Sequence, residues 1–214
     1  MPDFYRRFYD ATRAFQKKEP RAFCYDLAMS LIRQAKDDHT QSWYRNLQTT
    51  QGIILLLFCW NFAAKKTKKI TIARTRRLLQ RNERRLRQLE NYCLLNFPAD
   101  AEPLIKKVFS EFLNEFGQTG ATKALSLLNT SLFVMWDTKI RAYLRCKRLI
   151  PQIGRGETSD QYLQFLKGLR NYSNQYNFTA RLTDPNAVLA KKIDEYHYVK
   201  IIINGRRCRR PRQH

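Results

Sequence analysis

An all-α fold is predicted for this chain, and three features of the sequence predict it. Glycine and proline are scarce, seven of each among 214 residues, which disfavours a β-protein built on frequent tight turns. Apolar residues recur at three- and four-residue intervals in the long segments, the period of a helix face. Outside Tyr196–Ile203, no segment reads as a strand. With 43% hydrophobic and 13% aromatic residues, the chain can bury a sizeable core. Residues 1–204 read as one compact multi-helix domain of two lobes, and residues 205–214 as a basic disordered tail.

The elements follow in order. Phe4, Phe8, Ala11 and Phe15 share one face of a first helix, Asp3 to about Lys17. A second runs from about Phe23 to Gln34, and a third from near Ser42 to about Ala64. The third contains the apolar run Ile53–Trp60, too short to span a bilayer, which needs roughly 20 residues, and so reads as a buried central helix. Ile70 to about Tyr92 is strongly amphipathic, with Ile72, Leu79, Leu86 and Cys93 repeating every seven residues. Asp100 is placed to cap a helix from Ala101 to about Phe116, with Pro103 in its first turn. Gly117-Gln118-Thr119-Gly120 reads as a tight turn, followed by a helix from Ala121 to Asn129. Another helix opens at Asp137 and reaches about Lys147. Pro151–Gly156 is a loop, and Thr158 with Gln161 forms a capping box for a helix to about Arg170. Asp184-Pro185 starts the last helix. Tyr196–Ile203 can continue that helix or form a strand, and periodicity does not decide between them.

The formal charge of +22, from 40 Lys and Arg against 18 acids, favours a polyanionic partner. The Ile70–Tyr92 helix concentrates that charge. Arg74, Arg77, Arg81, Arg84 and Arg85 gather opposite its apolar face, flanked by Arg76 and Arg87, with only Glu83 and Glu90 to offset them. The five cysteines form no C-x-x-C pair, so neither a zinc ribbon nor an iron–sulfur cluster has a scaffold, and no cofactor is expected. Their odd number and the lack of a secretory signal point to a reducing intracellular compartment. His39, His197 and His214 lie far apart without metal-ligand spacing.

The segment that carries chemistry is Phe116–Leu144, in which two glycines precede an apolar helix and one acid, Asp137, follows it in a cationic neighbourhood. Glycines at a turn let a phosphate approach backbone N–H groups, and a helix N-terminus behind them favours the anion. Such a hairpin grips a DNA strand without reading its sequence. Asp137 has two compatible readings: an N-cap for the helix it opens, and an active-site carboxylate.

Here the chain resembles the helix-hairpin-helix DNA glycosylases of base-excision repair. The residues that carry the likeness are Gly117-Gln118-Thr119-Gly120, the helix Ala121–Asn129, and Trp136-Asp137-Thr138-Lys139-Ile140-Arg141, which matches the motif around that family's catalytic Asp. The apolar helix Ile53–Phe62, with Asn61, is similar to the element that borders the lesion in the family. The resemblance implies a monomeric, DNA-associated enzyme that binds double-stranded DNA, flips one base and hydrolyses its N-glycosidic bond. Asp137 would stabilise the positive charge that develops on the sugar. Asn61, Trp60 and Trp136 would border the extruded base. Gly117, Gln118, Thr119, Gly120, Thr122, Lys139, Arg141 and the arginines at 74, 77, 81, 84 and 85 would contact DNA. Members that also cut the strand place a lysine nucleophile at a position that falls on Thr122, with Lys123 one residue, about 100° of helix, away. A monofunctional hydrolase is therefore expected, with Lys123 as a candidate nucleophile. Two rivals predict different outcomes. A non-catalytic DNA- or RNA-binding module would bind without releasing a base, and a protein-interaction domain would bind duplex weakly.

Overall fold

Helix follows helix through the computed structural model, which describes residues 10, 13–15, 17–60, 70–148, 158–175 and 189–205. The all-α prediction holds: no strand occurs among the described residues, only an isolated bridge between Cys93 and Asn96. The principal helices are α1 (Ala22–Asp37), α2 (Leu47–Trp60), α3 (Ile72–Leu89), α4 (Glu102–Leu128), α5 (Thr138–Cys146), α6 (Ser159–Gln175) and α7 (Leu189–His197). None of these is long and apolar enough to cross a membrane.

The amphipathic patterns dock α1, α2 and α3 around α4. Helices α1 and α2 approach so closely that a Cβ at Gly52 would lie 2.8 Å from the Ala28 carbonyl oxygen. Asn46 starts α2 by accepting the Gln48 N–H at 2.9 Å, so that helix begins later than the expected Ser42. On α3 the buried stripe is Thr75, Leu78, Leu79, Asn82, Leu86 and Leu89. Ile72, a member of the expected heptad, is exposed instead. It lies at the first position of α3, just past the Thr71 cap, whose hydroxyl accepts the Arg74 N–H at 3.2 Å. The buried anchor at this end is Ile70.

Helix α4 runs through the centre. Its first half buries Ile105, Val108, Phe109, Phe112 and Phe116 on one face. Its second half is buried nearly all round, from Gly120 to Leu128, as a helix at the middle of a domain must be. Two expectations change here. Asp100 sits in a short 3-10 turn, Ala99–Ala101, and does not cap α4. The four-residue glycine turn is replaced by a kink at one residue: Gly117 has φ 69° and ψ 174°, and Gln118–Gly120 are already helical. That backbone region is open essentially to glycine alone. A Cβ at Gly117 would meet nothing within 4 Å, so the cost of a side chain there is conformational and not steric. Gly117→Ala is expected to lower stability by about 1–3 kcal/mol, measured by urea unfolding.

Two further expectations resolve. Thr158 and Gln161 make both bonds of the capping box: the Gln161 N–H donates to Thr158 Oγ1 at 3.2 Å, and the Thr158 N–H to Gln161 Oε1 at 3.4 Å. Helix α6 continues past Arg170 to Gln175. The ambiguous Tyr196–Ile203 segment is helical throughout, α7 passing at Tyr198–Ile203 into a π-helical turn. Asn61, Phe62, Gly154, Gly156, Asp184, Pro185, His214 and the basic tail from Arg206 lie outside the described residues.

Candidate active-site cleft

Asp137 reaches its position because the irregular segment before it is pinned at every step. Asn129 ends α4; its Nδ2 donates to the Leu89 carbonyl at 2.7 Å, and its Oδ1 accepts the N–H groups of Ser131 and Leu132, each at 3.0 Å. Residues Leu132 to Trp136 are buried without helical structure, so their backbone groups need partners. Tyr162 donates its hydroxyl to the Val134 carbonyl at 2.9 Å. The Trp136 N–H donates to Thr122 Oγ1 at 3.1 Å, and that hydroxyl donates on to the Thr119 carbonyl at 3.2 Å. The Trp136 ring is held among Phe109, Tyr162 and Phe165, the last two centroids at 5.3 and 5.1 Å. Asp137 then opens α5 with Oδ1 accepting the N–H groups of Lys139 at 2.8 Å and Ile140 at 3.3 Å. The N-cap reading of Asp137 is therefore correct in geometry. Its second oxygen, Oδ2, makes no hydrogen bond to a described residue and remains for another role.

Asp137 lines a cavity of about 320 Å³ together with Trp60, Lys123, Lys139, Asp194 and Tyr198. Arg21, Thr119, Thr122 and Trp136 complete much of the remaining wall. This volume falls within the roughly 300–1,000 Å³ of small-molecule sites. The expected juxtaposition of Asp137 with the second half of α4 is present, and Lys123 is the α4 residue that brings a charge to it. Lys123 is 7% exposed. Its Nζ donates to the Trp60 carbonyl at 2.8 Å and lies 5.5 Å from the Trp60 ring centroid. Burial pushes the Lys123 ammonium down to about 8, against the opposing pull of Asp194 and Asp137. At neutral pH a useful fraction of this amine is unprotonated, as is required of a nucleophile.

The opposite wall was not legible as a site. Arg21 donates from Nε to Glu19 at 2.6 Å and from Nη2 to the Tyr198 hydroxyl at 3.0 Å, and Tyr198 in turn donates to Glu19 at 2.7 Å. Burial would raise the Glu19 carboxyl, but the bonds from Arg21 and Tyr198 outweigh it and hold it below its usual value. The residues concerned are 177 positions apart, and no local pattern links them. Asp194 is 7% exposed and lines the cleft. His197 is a core residue: its Nδ1 is bonded to the Ile193 carbonyl at 2.8 Å, and burial pushes it down to about 4.

The expected DNA contacts divide. Gly117 is exposed and Thr119 half-buried, whereas Gln118, Gly120 and Thr122 are buried. Arg141 stacks its guanidinium over the Trp136 ring at 4.8 Å. Lys139 is exposed at the cleft. On α3, Arg74 pairs with Glu115 at 2.8 Å and Arg85 with Glu111 at 3.3 Å. Arg77, Arg81 and Arg84 are exposed and make no ion pair with a described residue. Arg74, Arg77 and Arg81, with Gln80 and Glu115, border a surface recess of about 310 Å³. Glu115 lies two residues before the Gly117 kink, so this arginine patch adjoins the turn. Replacing Arg77, Arg81 and Arg84 together with Gln is expected to flatten the dependence of log Kobs on log salt by up to three phosphates' worth, about 0.9 each, in duplex-binding titrations.

Trp43 does not line the cleft; it stacks on Tyr44 at 3.8 Å and donates its indole N–H to Glu90 at 3.1 Å. No group of three or more His, Cys, Asp or Glu able to hold a metal occurs among the described residues. Cys24, Cys59 and Cys93 are free thiols, and Cys146 is disulfide-bonded. Compared with family models, curated proteins and solved structures, the chain matches none.

Proposed function

We propose that this chain is a DNA N-glycosylase of the helix-hairpin-helix kind that attacks the sugar with the amine of Lys123, assisted by Asp137. The observation that carries the reading is the meeting of a buried, weakly basic lysine and a helix-capping carboxylate in one cleft. A hydrolase would need only the carboxylate and water. The position of Lys123 favours covalent chemistry over the monofunctional reaction expected from its register.

The reaction follows from the groups present. Breaking the glycosidic bond leaves positive charge on C1′ and O4′ of the sugar, and Asp137 Oδ2 is free to stabilise it electrostatically. The Lys123 amine adds to C1′ as the base departs. Ring opening then gives an iminium linkage between Lys123 Nζ and C1′, from which loss of a C2′ proton expels the 3′ phosphate and cuts the strand. Trp60 and Tyr198 border the cleft in which an extruded base would lie. The exposed Lys139 and the α3 arginines supply sequence-independent attraction to the phosphate backbone.

A panel of duplexes, each with one modified base, tests this proposal. At least one member should lose its base and be nicked without alkali. Base release that gives a nick only after hot alkali would restore the monofunctional reading. Tight, salt-sensitive binding with no base released from any duplex would favour a non-catalytic nucleic-acid-binding protein.

A further inference from the structure

The cleft holds a second carboxyl that the reaction above does not use. Asp194 projects from α7 into the same cavity as Lys123 and Asp137. It is 7% exposed, and burial and neighbouring charges, not hydrogen bonds to described residues, set its environment. Behind it lies a space of only about 10 Å³, bordered by Tyr25, Ser126 and Lys191, at or below what one water molecule needs. Of the two spaces, the cleft shared with Lys123 is the one with room for water to carry a proton to Asp194.

The two acids are set up for different tasks. Asp137 is committed through Oδ1 to two backbone N–H groups, which suits a fixed charge. Asp194 accepts no such backbone bond from a described residue, which suits a group that changes charge. We infer that Asp194 is the acid–base partner of Lys123, taking a proton from its ammonium and delivering protons to the departing base and to the opened sugar. This rests on the lysine reading above.

The protons balance. Lys123 and Asp194 share the cleft without a direct ion pair, so the transfer runs through one bridging water: Asp194 carboxylate takes one proton from the Lys123 ammonium, freeing the amine's lone pair. As the amine bonds to C1′ and the glycosidic bond breaks, Asp194 gives that proton to the leaving base. The new secondary ammonium returns a second proton to Asp194. When the C1′–O4′ bond opens, O4′ receives it, and Nζ keeps the third proton as the iminium N–H. Lysine's positive charge becomes the iminium charge, the base leaves neutral, and Asp194 ends as a carboxylate.

The surroundings match this task. Burial pushes Asp194 up to about 7; Lys191 and Lys123 oppose that rise, and Glu195 and Asp137 add to it. Tyr25 on α1 and Tyr162 on α6 also feel its charge. With Lys123 at about 8, passing a proton between the two costs little in either direction.

The test uses the full chain and a duplex with a single abasic site, measuring the rate of borohydride trapping across pH. This probe needs the lysine amine but no leaving base. Wild type should reach a plateau once Asp194 is ionised, above about pH 7. Asp194→Asn should trap about 100-fold more slowly at neutral pH and keep accelerating as pH rises through the lysine's own range. The same variant should be no less stable than wild type at pH 8. A carboxyl raised by folding favours the folded state below its unfolded value, and that advantage is lost as pH rises through about 7. An Asp194→Asn profile identical to wild type, with a normal wild-type adduct, overturns this inference alone. Should the variant not fold, the wild-type profile decides: a rate that climbs with lysine titration and shows no earlier plateau also overturns it. No wild-type adduct at all overturns the lysine reading and this inference with it.

Discussion

Lys123→Met is expected to abolish both borohydride trapping and alkali-independent nicking, and to slow base release about 1,000-fold, equivalent to about 4 kcal/mol of transition-state stabilisation. The residual release would be hydrolysis by water at a site that still holds Asp137. Duplex affinity should change little, because Nζ is buried and donates to the Trp60 carbonyl. Stability should be maintained or improved. An ammonium pushed down to about 8 by burial disfavours folding whenever it is protonated, and Met removes that charge while keeping most of the apolar stem. Single-turnover kinetics on a cleaved duplex, with thermal unfolding in parallel, separate these effects. A Lys123→Met enzyme that nicks normally would remove the nucleophile from the account.

Asp137→Asn separates capping from catalysis. Asn caps a helix about as well as Asp, so the bonds to the Lys139 and Ile140 N–H groups should survive, and stability should change by less than about 0.5 kcal/mol. Base release should fall by about 10²–10³, the usual loss when one preorganised electrostatic group is removed from a reaction centre. Asp137→Ala should lose the same activity and about 1 kcal/mol of stability besides, since the cap goes too. If Asp137→Asn retains full base release, Asp137 is a cap and nothing more.

The parts of this molecule that were legible in sequence are those written locally. The capping box at Thr158–Gln161, the cap at Asp137 and the arginine face of α3 depend on residues a few positions apart, and each is present. Ile72 failed because a heptad says which side chains share a face, not where along the helix docking begins. The glycine turn failed because Gly117 alone absorbs the change of direction, and the composition of the turn does not reveal how many residues bend. Lys123 was placed one residue from the expected position, and sequence could not decide whether 100° mattered. The Trp60 carbonyl, at the end of a different helix, holds its amine in the cleft. The wall built from Arg21, Asp194 and Tyr198, with Glu19 bonded behind it, joins the two ends of the chain, and no spacing within either end could announce it.

The most direct measurement is to reduce the wild-type protein with borohydride in the presence of an abasic-site duplex, digest the product, and locate the sugar adduct by mass. One predominant modified peptide is expected, carrying the adduct on Lys123. An adduct spread over surface lysines, or none, would contradict it.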